Sequence, residues 1–145
     1  MFFRTLSTYV TLVFEVLGKY RHTFIADKIR EKDGEAAGDA YACSKAIEIV
    51  NKTLKRTGVN VIVEGIGNIP KDGNFVLIAN HQSMMDIFVI ISTINRPIAF
   101  IAKAELKKVP ILRKWMTSMG CIFMDRKDMR QSMQALLDGI KKVKS

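Results

Sequence analysis

The stretch Asn80-His81-Gln82-Ser83-Met84-Met85-Asp86 sets an imidazole and a carboxylate five positions apart. That pair has a use in chemistry. A carboxylate holding one ring nitrogen fixes the imidazole tautomer, and the other nitrogen can then take a proton from a hydroxyl. The same residues also fit a structural device. Ser83-Met84-Met85-Asp86 has the spacing of a capping box, in which Asp86 reaches back only to the start of a helix. His81 would then be a strand-end histidine satisfied by backbone. Two cations stand at comparable places further on, Lys103 and Arg126, each just after a short apolar run.

The elements that must position these groups can be read from periodicity. Phe75-Val76-Leu77-Ile78-Ala79 reads as a buried strand ending just before His81, and Ile87 to Ile94 as the helix after it. Asn95-Arg96-Pro97 breaks that helix. Ile98 to Ala102 is a further short strand with Lys103 at its end, and Glu105 to Lys108 is a short turn or helix. Pro110 suits the first position of a helix over Ile111–Met119, which Gly120 ends. Cys121 to Met124 is a strand that Asp125-Arg126 close. Asp128-x-x-Gln131 caps a last helix with the stripe Met129, Met133, Leu136, Ile140 and Val143. Val59, Val61 and Val63 alternate as in a strand, and Asn68 to Gly73 is a turn. Strands alternating with helices from residue 59 onward argue for an α/β fold with a mostly parallel sheet and flanking helices. In such sheets the carboxyl ends of the strands share one edge, where ligands bind. His81, Lys103 and Arg126 would meet there.

Ahead of this domain, assigned to residues 58–145, residues 1–57 read as an amphipathic helical hairpin. Its first helix, residues 2–20, gathers Phe2, Phe3, Leu6, Val10, Val13, Phe14 and Leu17 on one side and Arg4, Ser7, Thr8, Thr11, Glu15 and Lys19 on the other. Such a helix packs on a domain or lies in a membrane interface, and the phenylalanines beside Arg4 favour the interface. Residues 27–39 are polar and hold Lys32-Asp33-Gly34 and Gly38, which reads as a loop. The second helix, 40–56, carries the stripe Cys43, Ile47, Val50 and Leu54, and Gly58 stops it.

Charge and composition narrow the partners. Lys and Arg number 23 against 14 Asp and Glu, a formal net charge of +9, so an anionic partner is expected. The basic residues are spread along the chain without an aromatic–basic patch or a reading helix, which argues against nucleic acid. Cys43 and Cys121 lack metal spacing, and with two histidines no metal site is expected. Two thiols do not make a disulfide scaffold, so a reducing compartment is favoured. The apolar run 5–14, between Arg4 and Glu15, is shorter than the roughly 20 residues of a spanning helix, and no cleavable signal is evident. There is no Gly-rich phosphate loop and no GxSxG.

Taken together, three blocks resemble a known family. Asn80-His81-x4-Asp86 resembles the first signature block of the glycerolipid acyltransferases, the 1-acylglycerol-3-phosphate acyltransferase family. Lys103-x-Glu105-Leu106-x3-Pro110 resembles the start of the second block, and Gly120-x2-Phe123-x2-Arg126 its end, with Arg113 where glycine is frequent. The resemblance covers about residues 59–144, and the hairpin resembles the N-terminal two-helix element of bacterial members. It implies a glycerol-3-phosphate acyltransferase-like fold. It also implies transfer of a fatty acyl group from acyl-CoA or acyl-carrier protein to the free hydroxyl of lysophosphatidate, with no other cofactor. His81 would be the general base and Asp86 its orienting partner, while Lys103 and Arg126 would bind the acceptor phosphate. The expected place is the cytoplasmic face of the cell membrane, held peripherally at an anionic surface. The family's third block, Glu-Gly-Thr/Ser-Arg, has no counterpart in this sequence. The resemblance is therefore to the N-terminal part of a longer acyltransferase, and an inactive lipid-binding fragment of that fold is the alternative.

Overall fold

The computed structural model describes residues 2–80 and 83–144. In chain order it contains α1 (Phe2–Gly18), α2 (Arg21–Asp33), α3 (Glu35–Thr57), α4 (Met84–Ile94), β1 (Ile101–Lys103), α5 (Pro110–Ser118), β2 (Ile122–Met124) and α6 (Met129–Lys144). Short 3-10 turns lie at Ile66–Asn68 and Ala104–Lys108.

The hairpin is present, but its turn is tight. Residues 27–39, expected as a loop, are helical on both sides of Gly34, whose φ of 98° makes the reversal. Gly38, a loop signal by composition, lies inside α3 for a packing reason. A Cβ there would meet the Ala26 carbonyl at 2.8 Å and the Arg30 Cβ at 2.7 Å, so glycine lets the two helices touch. The polar residues of this stretch are used as pairs. Arg30 binds Asp27 at 2.9 Å and Asp39 at 2.6 Å, and Lys142 from α6 binds the other oxygen of Asp39 at 2.6 Å. A polar run thus belongs to helices because its charges are mutually neutralised.

α1 and α2 follow one another along the long α3, antiparallel to it. Arg56 Nε donates to Ser7 Oγ at 3.0 Å, Lys52 pairs with Glu15, and Lys19 pairs with Glu48. α5 closes over this layer, with Trp115 Nε1 donating to the Val16 carbonyl at 3.2 Å and Lys114 paired with Asp27. One core joins α2, α3 and the end of α5 through Ala26, Ala42, Cys43, Ala46 and Met119. A second joins α3 to α4 through Val50, Leu54 and Ile91, with Phe88, Ile98 and Phe100 packed against it. Burial pushes both the Cys43 and Cys121 thiols up to about 11, which leaves them as protonated core groups.

The sheet is smaller than the sequence predicts. β1 and β2 are parallel, with Ile101, Ala102 and Lys103 opposite Ile122, Phe123 and Met124, and the connection between them passes through α5. These are the only strands among the described residues. Residues 59–63 and 75–79, expected as strands, carry no regular secondary structure. Their alternating or continuous apolar side chains remain uncovered: Ile62 is 81% and Ile78 92% exposed. A strand exists only through a neighbour's ladder, and no described residue pairs with these two. The α/β expectation therefore holds for the second half of the domain and not for its first, and helix dominates the architecture.

The lead-in to residue 80 is nonetheless fixed. Arg96, just after α4, donates to the carbonyls of Pro70 (2.5 Å) and Gly73 (3.0 Å) and lies 5.4 Å from the Phe75 ring centre. Asn95, at a φ of 50°, turns α4 into that arginine.

Candidate active site

His81 lies outside the described residues, so the site is built here from its neighbours. Ser83 and Asp86 form the reciprocal cap that their spacing predicts. Ser83 Oγ accepts from the Met85 N–H at 3.2 Å, and Asp86 Oδ2 accepts from the Ser83 N–H at 2.9 Å. The structural role of Asp86 is therefore real. It fixes the backbone two residues after His81, and it brings a carboxylate to the N-terminus of α4, where the helix dipole favours negative charge.

That N-terminus opens on a cleft of about 270 Å³. Ser83, Met84, Met85 and Phe88 form one side, and Thr5, Thr8, Tyr9 and Leu12 of α1 form the other, with Thr57 and Val59 between them. Periodicity places Thr8 on the polar side of the first helix and links neither it nor Thr5, Tyr9 and Leu12 to the His81 segment. The hydroxyls Thr5, Thr8 and Tyr9 on one helical face are the available signal.

Lys103 and Arg126 come to the same edge of the sheet. Lys103 is opposite Met124 in the parallel register, and Arg126 lies two residues beyond the end of β2, so both stand at carboxyl ends. Ile98 O is 3.6 Å from Cys43 Sγ, and Ile98 and Phe100 both pack against the cluster of Val50, Leu54 and Ile91. Both cations are exposed. Lys103 Nζ lies 3.2 Å from Glu105 Oε1. Glu105 is held below the usual carboxylate range by a hydrogen bond to its own backbone and by the Lys103 ammonium. The block Lys103-x-Glu105 is therefore an ion pair, a partnership the sequence does not reveal. Arg126 forms no ion pair among the described residues. Asp125 Oδ1 accepts from the Lys127 N–H, and Asp128 Oδ1 accepts from the N–H groups of Arg130 and Gln131. The local acids are engaged by backbone, and the guanidinium is presented to solvent.

Among the described residues no group of His, Cys, Asp and Glu could hold a metal ion. Nor is any described helix long and apolar enough to cross a membrane.

A family model described as "Acyltransferase" matches residues 60–144, more than half of the chain. The chain belongs to the 1-acyl-sn-glycerol-3-phosphate acyltransferase family. Its relatives carry that description. The protein of Borreliella burgdorferi is 34% identical over 89 residues, covering 61% of this chain and 36% of the relative. A probable 1-acyl-sn-glycerol-3-phosphate acyltransferase of Mycoplasma genitalium is 34% identical over 123 residues, covering 79% and 45%. The crystal structure of the 1-acyl-sn-glycerophosphate (LPA) acyltransferase from Thermotoga maritima superposes with a TM-score of 0.67 at 27% identity, over 97% of this chain and 58% of that one. The chain therefore spans less than two thirds of the length of each of these relatives.

Proposed function

We propose that this chain carries the catalytic part of an enzyme that transfers a fatty acyl group from a thioester donor to the hydroxyl of lysophosphatidate, giving phosphatidate. The observation that supports it most is the parallel register that sets Lys103 and Arg126 at adjacent carboxyl ends of the two strands. Two cations at neighbouring strand ends suit a phosphate, which both can contact at once.

The chemistry asks little else of the protein. A thioester is already activated, so no enzyme nucleophile is needed. In the proposed step His81 takes the proton of the acceptor hydroxyl as its oxygen forms a bond to the thioester carbonyl carbon. The carbon–sulfur bond then breaks, and the departing thiolate takes a proton to leave as a thiol. General-base help of this kind is worth roughly 10²–10⁴-fold. Asp86 would orient the imidazole while its Oδ2 keeps the helix cap. Lys103 supplies a point charge, steadied by Glu105, and Arg126 a planar fork that can grip phosphate through two donors. The donor is acyl-CoA or acyl-carrier protein. The acceptor is a lipid, and α1 would bring the site to an anionic membrane surface.

The test is His81→Ala in a chain extended to the length of its relatives, assayed by thioester release with lysophosphatidate. The expected result is a loss of at least about a hundredfold with unchanged folding. Retention of more than about a tenth of the rate would rule out a general base of the usual strength.

A further inference from the structure

Asp128 and Gln131 have capping-box spacing, and only half of that box forms. Asp128 Oδ1 accepts from the backbone N–H of Arg130 at 2.9 Å and of Gln131 at 3.1 Å, as a helix cap should. The Gln131 side chain turns away from the cap. Its Nε2 donates to the Phe123 carbonyl at 2.8 Å, and its Oε1 accepts from the Asp125 N–H.

Those two backbone groups flank Met124 and face the same edge of β2. Ile122 N–H points to β1, donating to the Phe100 carbonyl at 2.9 Å. By the alternation of a strand, Phe123 C=O and Asp125 N–H point to the opposite edge. A residue of a parallel neighbour would bond this pair of groups, and a primary amide has the one donor and one acceptor needed to replace it. The Gln131 amide thus extends strand order to the residue before Arg126. Two further bonds complete the tie. Ser132 Oγ donates to the Asp125 carbonyl at 2.6 Å, and Asp125 Oδ1 accepts from the Lys127 N–H at 2.9 Å. The backbone on both sides of Arg126 is held by side chains, while the guanidinium itself is left exposed.

We propose that Gln131 is a positioning residue for Arg126: its amide fixes the end of β2 so that the guanidinium meets the acceptor phosphate from a set direction. This rests on the assignment of Arg126 to that phosphate. Pre-organisation of this kind acts on the phosphate contact and on nothing else in the ligand.

The test measures binding of lysophosphatidate to the 145-residue chain in detergent micelles, with an uncharged monoacylglycerol of the same chain length as control. Gln131→Met keeps the bulk and removes the amide. Gln131→Glu keeps the acceptor for Asp125 N–H and removes the donor, and serves if the first variant fails to fold. Each is made alone and with Arg126→Ala. Arg126→Ala is expected to weaken lysophosphatidate binding about tenfold, and Gln131→Met about three- to tenfold, the scale of one or two hydrogen bonds. Monoacylglycerol binding should not move, and in the Arg126→Ala background the Gln131 change should add nothing. Equal weakening of both ligands, or an undiminished effect in the double variant, would make Gln131 a stability residue only and overturn the proposal. If Arg126→Ala weakens binding and neither Gln131 variant does, the proposal falls and the phosphate assignment stands. If Arg126→Ala has no effect, the assignment itself falls and takes the proposal with it.

Discussion

Asp86 carries two demands at once, and they can be separated. Its Oδ2 holds the Ser83 N–H in a reciprocal cap, and the proposed mechanism also asks it to orient His81. Loss of a cap side chain costs about 0.5–2 kcal/mol. Loss of an oriented base costs orders of magnitude in rate. Ser83→Ala is therefore expected to lower unfolding free energy by about 1 kcal/mol in denaturant titration. Asp86→Asn retains an oxygen for the Ser83 N–H, so stability should change less, while acyl transfer should fall by at least about a hundredfold. The opposite pattern, stability lost and rate kept, would leave Asp86 as a cap alone. Spacing makes both roles legible, because a capping box and an His-x4-Asp pair can share one carboxylate. The partners of Arg126 and Gln131 are not legible in the same way. Asp125 and Asp128 are near enough in sequence to pair with Arg126, yet among the described residues neither forms an ion pair with it and each carboxylate bonds backbone N–H groups instead.

At the scale of elements, helices are easier to read than strands because their partners are close in sequence. The stripe of α3, the Pro110 start of α5 and the cap of α4 all depend on contacts within a few residues. The 27–39 stretch reads as a loop although it is helical, because its charges find partners far away, such as Lys142. The strands expected at 59–63 and 75–79 rest on a correct pattern, but a strand also needs a neighbour, which periodicity cannot supply. α1 raises a different question of partners. Its inner residues line the cleft and Val16 receives the Trp115 indole, yet Phe3, Val10, Val13, Phe14 and Leu17 stay exposed. A stripe of this kind, on a chain of net charge +9, fits an anionic membrane interface. Replacing Phe3 and Phe14 with serine, or deleting residues 1–20, is expected to release the protein from vesicles containing phosphatidylglycerol in a sedimentation assay. Raised salt should release it in part, since each basic residue near the surface contributes roughly 1 kcal/mol. Unchanged sedimentation of the deletion variant would rule out α1 as a membrane contact.

The apolar surface of the whole molecule extends beyond α1. Met129, Met133, Leu136, Leu137 and Ile140 of α6 are exposed, as are Ile62, Val76 and Ile78 in the two unpaired segments. Exposed apolar residues in such number are a feature of surfaces that another segment or partner covers. The solved Thermotoga maritima relative has the length to do so, since this chain matches only 58% of it. The family pattern also supplies, in its third block, an arginine that this sequence lacks. Two consequences follow for the 145-residue chain by itself. A phosphate held by Lys103 and Arg126 alone should bind weakly, because a hydrogen bond to a charged group is worth about 1.5–3 kcal/mol, and doing without one lowers affinity roughly tenfold or more. Segments 59–63 and 75–79, without ladder partners, should also be open to pairing between molecules. The chain alone is thus expected to turn over slowly and to self-associate in light scattering. Joining it to the remaining portion of the Thermotoga maritima relative, or supplying that portion as a second polypeptide, should raise turnover and reduce association together. Robust, saturable turnover by the monomeric 145-residue chain would show that the third block is dispensable and that residues 80–126 suffice for the chemistry.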